Sequence, residues 1–175
     1  MEHQSPIVIL PDAGPLITLA YAEGLDTLLK PGWPVQIVDM VLHELTRNQT
    51  PTSAAIGSWI SKNNLKLLPT NIYQRYLASC AGGDTRSKKS NLGELALQEA
   101  MTRIAGKSPA AISVLLFEDH KIARTSFAVP ENCRKISTRA FLTFLEQMGW
   151  LESAAAVERK AILNGRNFSQ IRFPA

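Results

Sequence analysis

Four carboxylates stand out for the company they keep. Asp12 ends the run Ile9-Leu10-Pro11-Asp12. Glu44 lies in Val41-Leu42-His43-Glu44-Leu45, and Glu94 in Asn91-Leu92-Gly93-Glu94-Leu95-Ala96. Asp119 follows Leu115-Leu116-Phe117-Glu118. Gathered at one place, such groups repel one another unless a cation offsets their charge. Oxygen-only ligands select hard cations, so magnesium or manganese is the expected cofactor rather than zinc. Each acid also has a plainer use. Asp12 and Asp119 could be helix N-caps, Glu94 could complete a capping box with Asn91, and Glu44 could be an ordinary surface residue.

The elements that would position these acids can be read from periodicity. Ile7 to Leu10 is a short, unbroken apolar run, the pattern of a parallel strand covered on both faces. Pro15 suits the first turn of the helix that follows, and Leu16, Leu19, Ala20, Leu25, Leu28 and Leu29 form apolar stripes around Gly24. Val35 to Val38 is a second strand, and Asp39 is placed to cap the next helix, whose inner face carries Val41, Leu42 and Leu45. A helix around Ala54 to Ile60, a strand over Leu65 to Leu68 and a helix from Ile72 to Cys80, opened by Asn71, come next. Ala81 to Ser90, with two glycines and Lys88-Lys89, reads as a mobile loop. A long helix from Leu92 to Ile104 leads to the most apolar strand, Ile112 to Phe117. A short helix over Asp119 to Phe127 and a strand over Lys135 to Ser137 follow. Phe141, Leu142, Leu145 and Met148 then mark a helix that Gly149 closes.

Strands alternating with helices predict a single α/β domain with a parallel sheet. Such sheets bind ligands at the carboxyl ends of their strands. Asp12 and Asp119 fall there directly, and Glu44 and Glu94 ride on helices that start nearby.

Composition narrows the class. A chain of 175 residues with 45% hydrophobic residues carries one full core. Cys80 and Cys133 are too few for a disulfide framework and have no zinc-type spacing, which points to a reducing cytoplasm. There is no apolar run of membrane-spanning length and no signal-peptide pattern, so no membrane partner is expected. A net charge of +4 is only mildly basic and decides little alone.

In this order the motifs carry a family likeness. From about Ile7 to Leu151 the chain resembles the PIN-domain metal-dependent nucleases. Ile9-Leu10-Pro11-Asp12-Ala13-Gly14-Pro15-Leu16-Ile17 is similar to the family's opening strand and first acid, and Val41-Leu42-His43-Glu44-Leu45 to its second-acid helix. Gly93-Glu94-Leu95-Ala96 is similar to the third motif, and Leu115 to Arg124 to the fourth. Ser137-Thr138 resembles the closing small-polar pair. The fourth motif departs from the family, with Phe117 where a Thr is usual and Glu118 where a second Asp is frequent. Asp119 aligns as the ligand, with Glu118 as the alternative. Pro69 to Ser90 and the tail after Leu151 are longer than in compact toxin-type members.

The resemblance implies a PIN-like domain over residues 1–150, with a mostly parallel central sheet of four or five strands, helices on both faces and a mobile basic loop about 81–90. A C-terminal helical extension over 151–175 is expected to pack on the same domain. It implies a divalent-metal-dependent endoribonuclease, similar to the toxin components of toxin–antitoxin pairs, with an antitoxin protein and a homodimer as partners. Carboxylates have no useful nucleophile for a phosphodiester, but a metal they hold lowers the pKa of bound water and neutralises charge on phosphate oxygens. Asp12, Glu44, Glu94 and Asp119 are the implied catalytic and metal-binding residues, and Thr138 supports them. Arg86, Lys88, Lys89, Lys121, Arg124 and Arg139 are the implied RNA contacts. His43 and His120, each beside a proposed ligand, read as structural. Two alternatives stand beside this reading. One is a PIN fold that binds RNA or protein without catalysis. The other is an unrelated nucleotide-binding α/β domain, which would want a Gly-x-Gly-x-x-Gly turn where this chain has only Gly14.

Overall fold

The structure, a computed structural model, describes residues 6–83, 91–118 and 127–166. Its centre is β4 (Ile112–Phe117), the apolar run singled out above. β4 pairs in parallel with β1 (Ile7–Pro11) on one side, Leu10 opposite Leu115, and with β5 (Cys133–Ser137) on the other, Leu115 opposite Lys135. Having neighbours on both sides explains its composition: Val114, Leu115 and Leu116 are all buried. β2 (Gln36–Val38) and β3 (Lys66–Leu68) form a separate two-stranded parallel sheet. One parallel bridge between Ile9 and Val35, with the Ile9 amide donating to Pro34 C=O at 2.8 Å, brings β2 alongside β1. The expected parallel sheet is therefore present as three strands plus two.

The chain moves outward from β1 in two directions, to β2 and β3 and later to β4 and β5. Right-handed crossovers in opposite directions put their helices on opposite faces. α1 (Ala13–Tyr21) packs with α3 (Pro51–Lys62) and with α7 (Ala154–Leu163). α2 (Asp39–Thr46), α4 (Asn71–Ala81) and α5 (Leu92–Lys107) pack with one another, and α6 (Thr138–Gln147) leaves β5 to reach α7. Leu16 and Leu19 of α1, Ile37 of β2, Leu97 and Met101 of α5, and Phe141 and Leu142 of α6 meet in one core. The helical first part of the C-terminal extension thus packs on the same domain, and Asn164 Nδ2 ties its end to Tyr21 C=O at 2.7 Å.

Leu25, Leu28 and Leu29, the apolar stripe after Gly24, form a 3-10 turn (Leu25–Leu29). Two local expectations change. Asp39 is the first residue of α2, not its cap, and reaches across instead: its carboxylate accepts the Thr70 amide and hydroxyl, each at 2.7 Å. Thr70, not Asn71, caps α4, its hydroxyl accepting the Tyr73 amide at 3.2 Å. Glu99 of α5 then accepts the Asn71 and Ile72 amides at 2.8 and 3.1 Å, an anion on the positive end of α4. Among the described residues no helix is long and apolar enough to cross a membrane. Most of the loop expected at 81–90 and nearly all of the short helix expected at Asp119–Phe127 lie outside the described residues.

Candidate active site

Of the four expected acids, Asp12 stands at the carboxyl edge of the sheet. Asp12 follows β1 immediately, and its amide donates to Leu116 C=O of β4 at 2.9 Å, which fixes it beside the end of the central strand. It occupies the N-cap position of α1, yet its side chain makes no capping bond. The capping use of Asp12 is thus not realised.

Glu44 lies one turn into α2, on the boundary of a face whose Met40, Val41 and Leu45 are buried. Its Oε1 accepts the Gly93 amide at 3.2 Å, so it sits against the first turn of α5. Asn91, which precedes that helix with φ +81°, makes no side-chain cap bond, so the capping box with Glu94 is absent as well. Gly93 is what lets the two helices approach. A Cβ there would lie 2.7 Å from Glu44 Oε2. Burial pushes the Glu44 carboxyl above the usual range. The Gly93 N–H and the Arg47 charge pull it back, and the charge of Glu94 pushes it further up. Glu94 of α5 is thus near enough for its charge to act on Glu44 of α2, although burial is the larger cause.

Glu118 follows β4 and is buried. Its Oε2 accepts the Thr18 hydroxyl of α1 at 2.9 Å and Arg166 Nη2 at 3.3 Å, while Arg166 Nε donates to Thr18 Oγ1 at 3.1 Å. Its Oε1 accepts no hydrogen bond among the described residues. Burial pushes its carboxyl up, against the pull of Thr18, Arg166 and Thr138. Thr138, fully buried at the start of α6, donates to Phe117 C=O at 3.5 Å. Its influence on Glu118 is one of proximity, without a bond of good geometry. Gly14 plays here the part Gly93 plays beside Glu44, since a Cβ on it would come within 3.1 Å of Glu118 Cβ.

Asp119 lies outside the described residues, as do Arg86, Lys88, Lys89, Lys121, Arg124 and His120. Arg139 is exposed in the first turn of α6. Among the described residues no three His, Cys, Asp or Glu side chains stand together as a metal site. Sequence reasoning missed Arg47, whose charge acts on Glu44, and Arg166, which neutralises Glu118. It also missed Gly14 and Gly93 as the close-approach points of two acids. Gly14 lies two residues after Asp12 and Gly93 one before Glu94, but no local signal ties them to Glu118 and Glu44. No family model, no curated protein and no solved structure matches the chain.

Proposed function

We propose that the chain is a divalent-metal-dependent endoribonuclease of the PIN type, with Asp12, Glu44, Glu94 and Asp119 as its metal-binding acids. The observation that carries the reading is the joint placement of Glu44 and Glu94. Glu44 is half-buried, which disfavours its charge, and the nearby charge of Glu94 adds to that cost. A cation offsets both costs at once. The donors are all oxygen, which fits magnesium or manganese. Asp12 supports the same reading, since it stands at the carboxyl end of β1 and its side chain is not used as a cap.

The bound metal would supply an activated water and neutralise charge on the scissile phosphate. The chain's own residues hold and orient it. Asp12 is set by β1 and β4, and Glu44 by the Gly93 amide. Glu118 already has Arg166 as its counter-charge, so Asp119 is the better fourth ligand and Glu118 the support behind it. Arg139 and Arg47 stand on helices bordering this edge and suit phosphate contacts. An antitoxin that fills the acidic cleft, a homodimer and a cytoplasmic setting belong to the same proposal. The test is magnesium binding by calorimetry beside cleavage of single-stranded RNA. Metal binding without cleavage would favour a binding module, and neither would remove the reading.

A further inference from the structure

Next to Glu44 the structure carries an aromatic cluster that catalysis does not use. His43 of α2 packs against Tyr73 and Tyr76 of α4, with ring centroids 5.4 and 5.1 Å away. The two tyrosine rings are parallel to within 17°, with centroids 6.3 Å apart. His43 Nε2 lies 3.3 Å from the Tyr76 hydroxyl. All three side chains are partly exposed. α4 has no fully buried residue, and polar groups position it: Thr70 as cap, Asp39 behind Thr70, and Glu99 on its first turn. Its tyrosines are half-buried: they pack against the core and stay partly open to solvent.

A hydrogen bond with Cys80 pushes the Tyr76 hydroxyl up. The positive charge of Arg47 acts on His43, Tyr76 and Glu44 alike.

We propose that Tyr73 and Tyr76, backed by His43, form a stacking platform for an unpaired nucleobase of a single-stranded RNA, with Arg47 on the adjoining phosphate. Parallel aromatic faces beside a cation are what an unstacked base and its phosphate fit. The platform adjoins Glu44 on the same helix, so a base seated there leaves its strand running past the acidic pair. The inference rests on the nuclease reading for its substrate class but is tested without cleavage.

The probe is a fluorescein-labelled octa-adenylate RNA, followed by anisotropy in EDTA so that no strand is cut. An abasic ribose-phosphate strand of the same length is the control. Tyr73→Leu with Tyr76→Leu keeps apolar bulk and removes the rings. Tyr73→Phe with Tyr76→Phe keeps the rings and removes the hydroxyls. The leucine pair is expected to weaken octa-adenylate binding by about 5- to 100-fold, the span of base–aromatic stacking, and to leave the abasic strand unaffected. The phenylalanine pair should bind like wild type. Circular dichroism checks that α4 persists. Equal loss on both strands, unchanged binding of octa-adenylate, or no wild-type preference for the base-bearing strand overturns the platform. A protein that shows the preference but cuts nothing keeps the platform and loses the nuclease reading. A protein that cuts RNA while the leucine pair binds normally does the reverse.

Discussion

Gly93→Ala separates a packing role from a site role. The added Cβ would sit 2.7 Å from Glu44 Oε2 and 3.1 Å from its Cδ and Oε1, so something must move. Gly93 lies in a helix and has no positive φ, so alanine brings no backbone strain. The movable part is the Glu44 carboxylate, the end of a flexible side chain. Alanine gains about 0.8–1 kcal/mol of helix propensity over glycine. Losing the Gly93 bond to a charged acceptor costs about 1.5–3 kcal/mol. Part of that returns as the carboxylate moves toward water and sheds its burial cost. The net loss should stay below about 2 kcal/mol, a fall in Tm of no more than about 4–8 °C for a chain of this size. Activity should suffer far more, because displaced metal supports cost about 10- to 100-fold. Thermal unfolding and RNA cleavage with magnesium, measured on the same sample, give the answer. Cleavage at the wild-type rate would show that Glu44 and Gly93 do not build the site.

Glu44→Gln should make the metal-free protein more stable at neutral pH. The folded-state pKa of Glu44 is raised, so its contribution is greatest below the ordinary carboxylate range and is lost as pH rises through the folded value. Urea unfolding in EDTA should therefore show the variant's advantage at neutral pH and none in acid, and a disadvantage at neutral pH would mean that the bond to Gly93 dominates. Arg166→Met removes the counter-charge of buried Glu118 and should cost about 3 kcal/mol at neutral pH, the lower end for a broken buried pair because Arg166 retains 19% exposure. The loss should shrink in acid as Glu118 takes up a proton, and equal stability at neutral pH would show that the pair does not hold the C-terminal segment. Replacing Lys88 and Lys89 together by alanine should weaken RNA binding and lower the slope of log affinity against log salt by about 1 to 2. An unchanged slope would place both lysines away from the phosphates.

Much of the fold was legible because its signals are local. The bounds of β4 follow from one apolar run, and apolar spacing places the start of α5, which runs on to Lys107 past the expected end at Ile104. The strand-end position of Asp12 follows from β1 alone. What escaped depends on residues distant in the chain. Asp39 looked like a cap because its partner, Thr70, is 31 residues away. Arg166 could not be matched to Glu118 across 48 residues, and Glu99 could not be seen at the start of α4. The aromatic cluster was hidden for the same reason, since His43 lies on α2 and its tyrosines on α4. The reading of His43 as structural agrees with its packing and missed what that packing presents. Of the acid set, Glu94 is near enough for its charge to act on Glu44.

The most direct test is cleavage of a single-stranded RNA by wild-type protein and by Asp12→Asn, each with magnesium and with manganese. The substitution removes one charge with almost no change in volume, and asparagine caps a helix about as well as aspartate. The account predicts metal-dependent cleavage by wild type, abolished by EDTA and by Asp12→Asn, with the variant's metal-free Tm unchanged or raised. Full activity in Asp12→Asn, or no metal-dependent cleavage by the wild type, would contradict it.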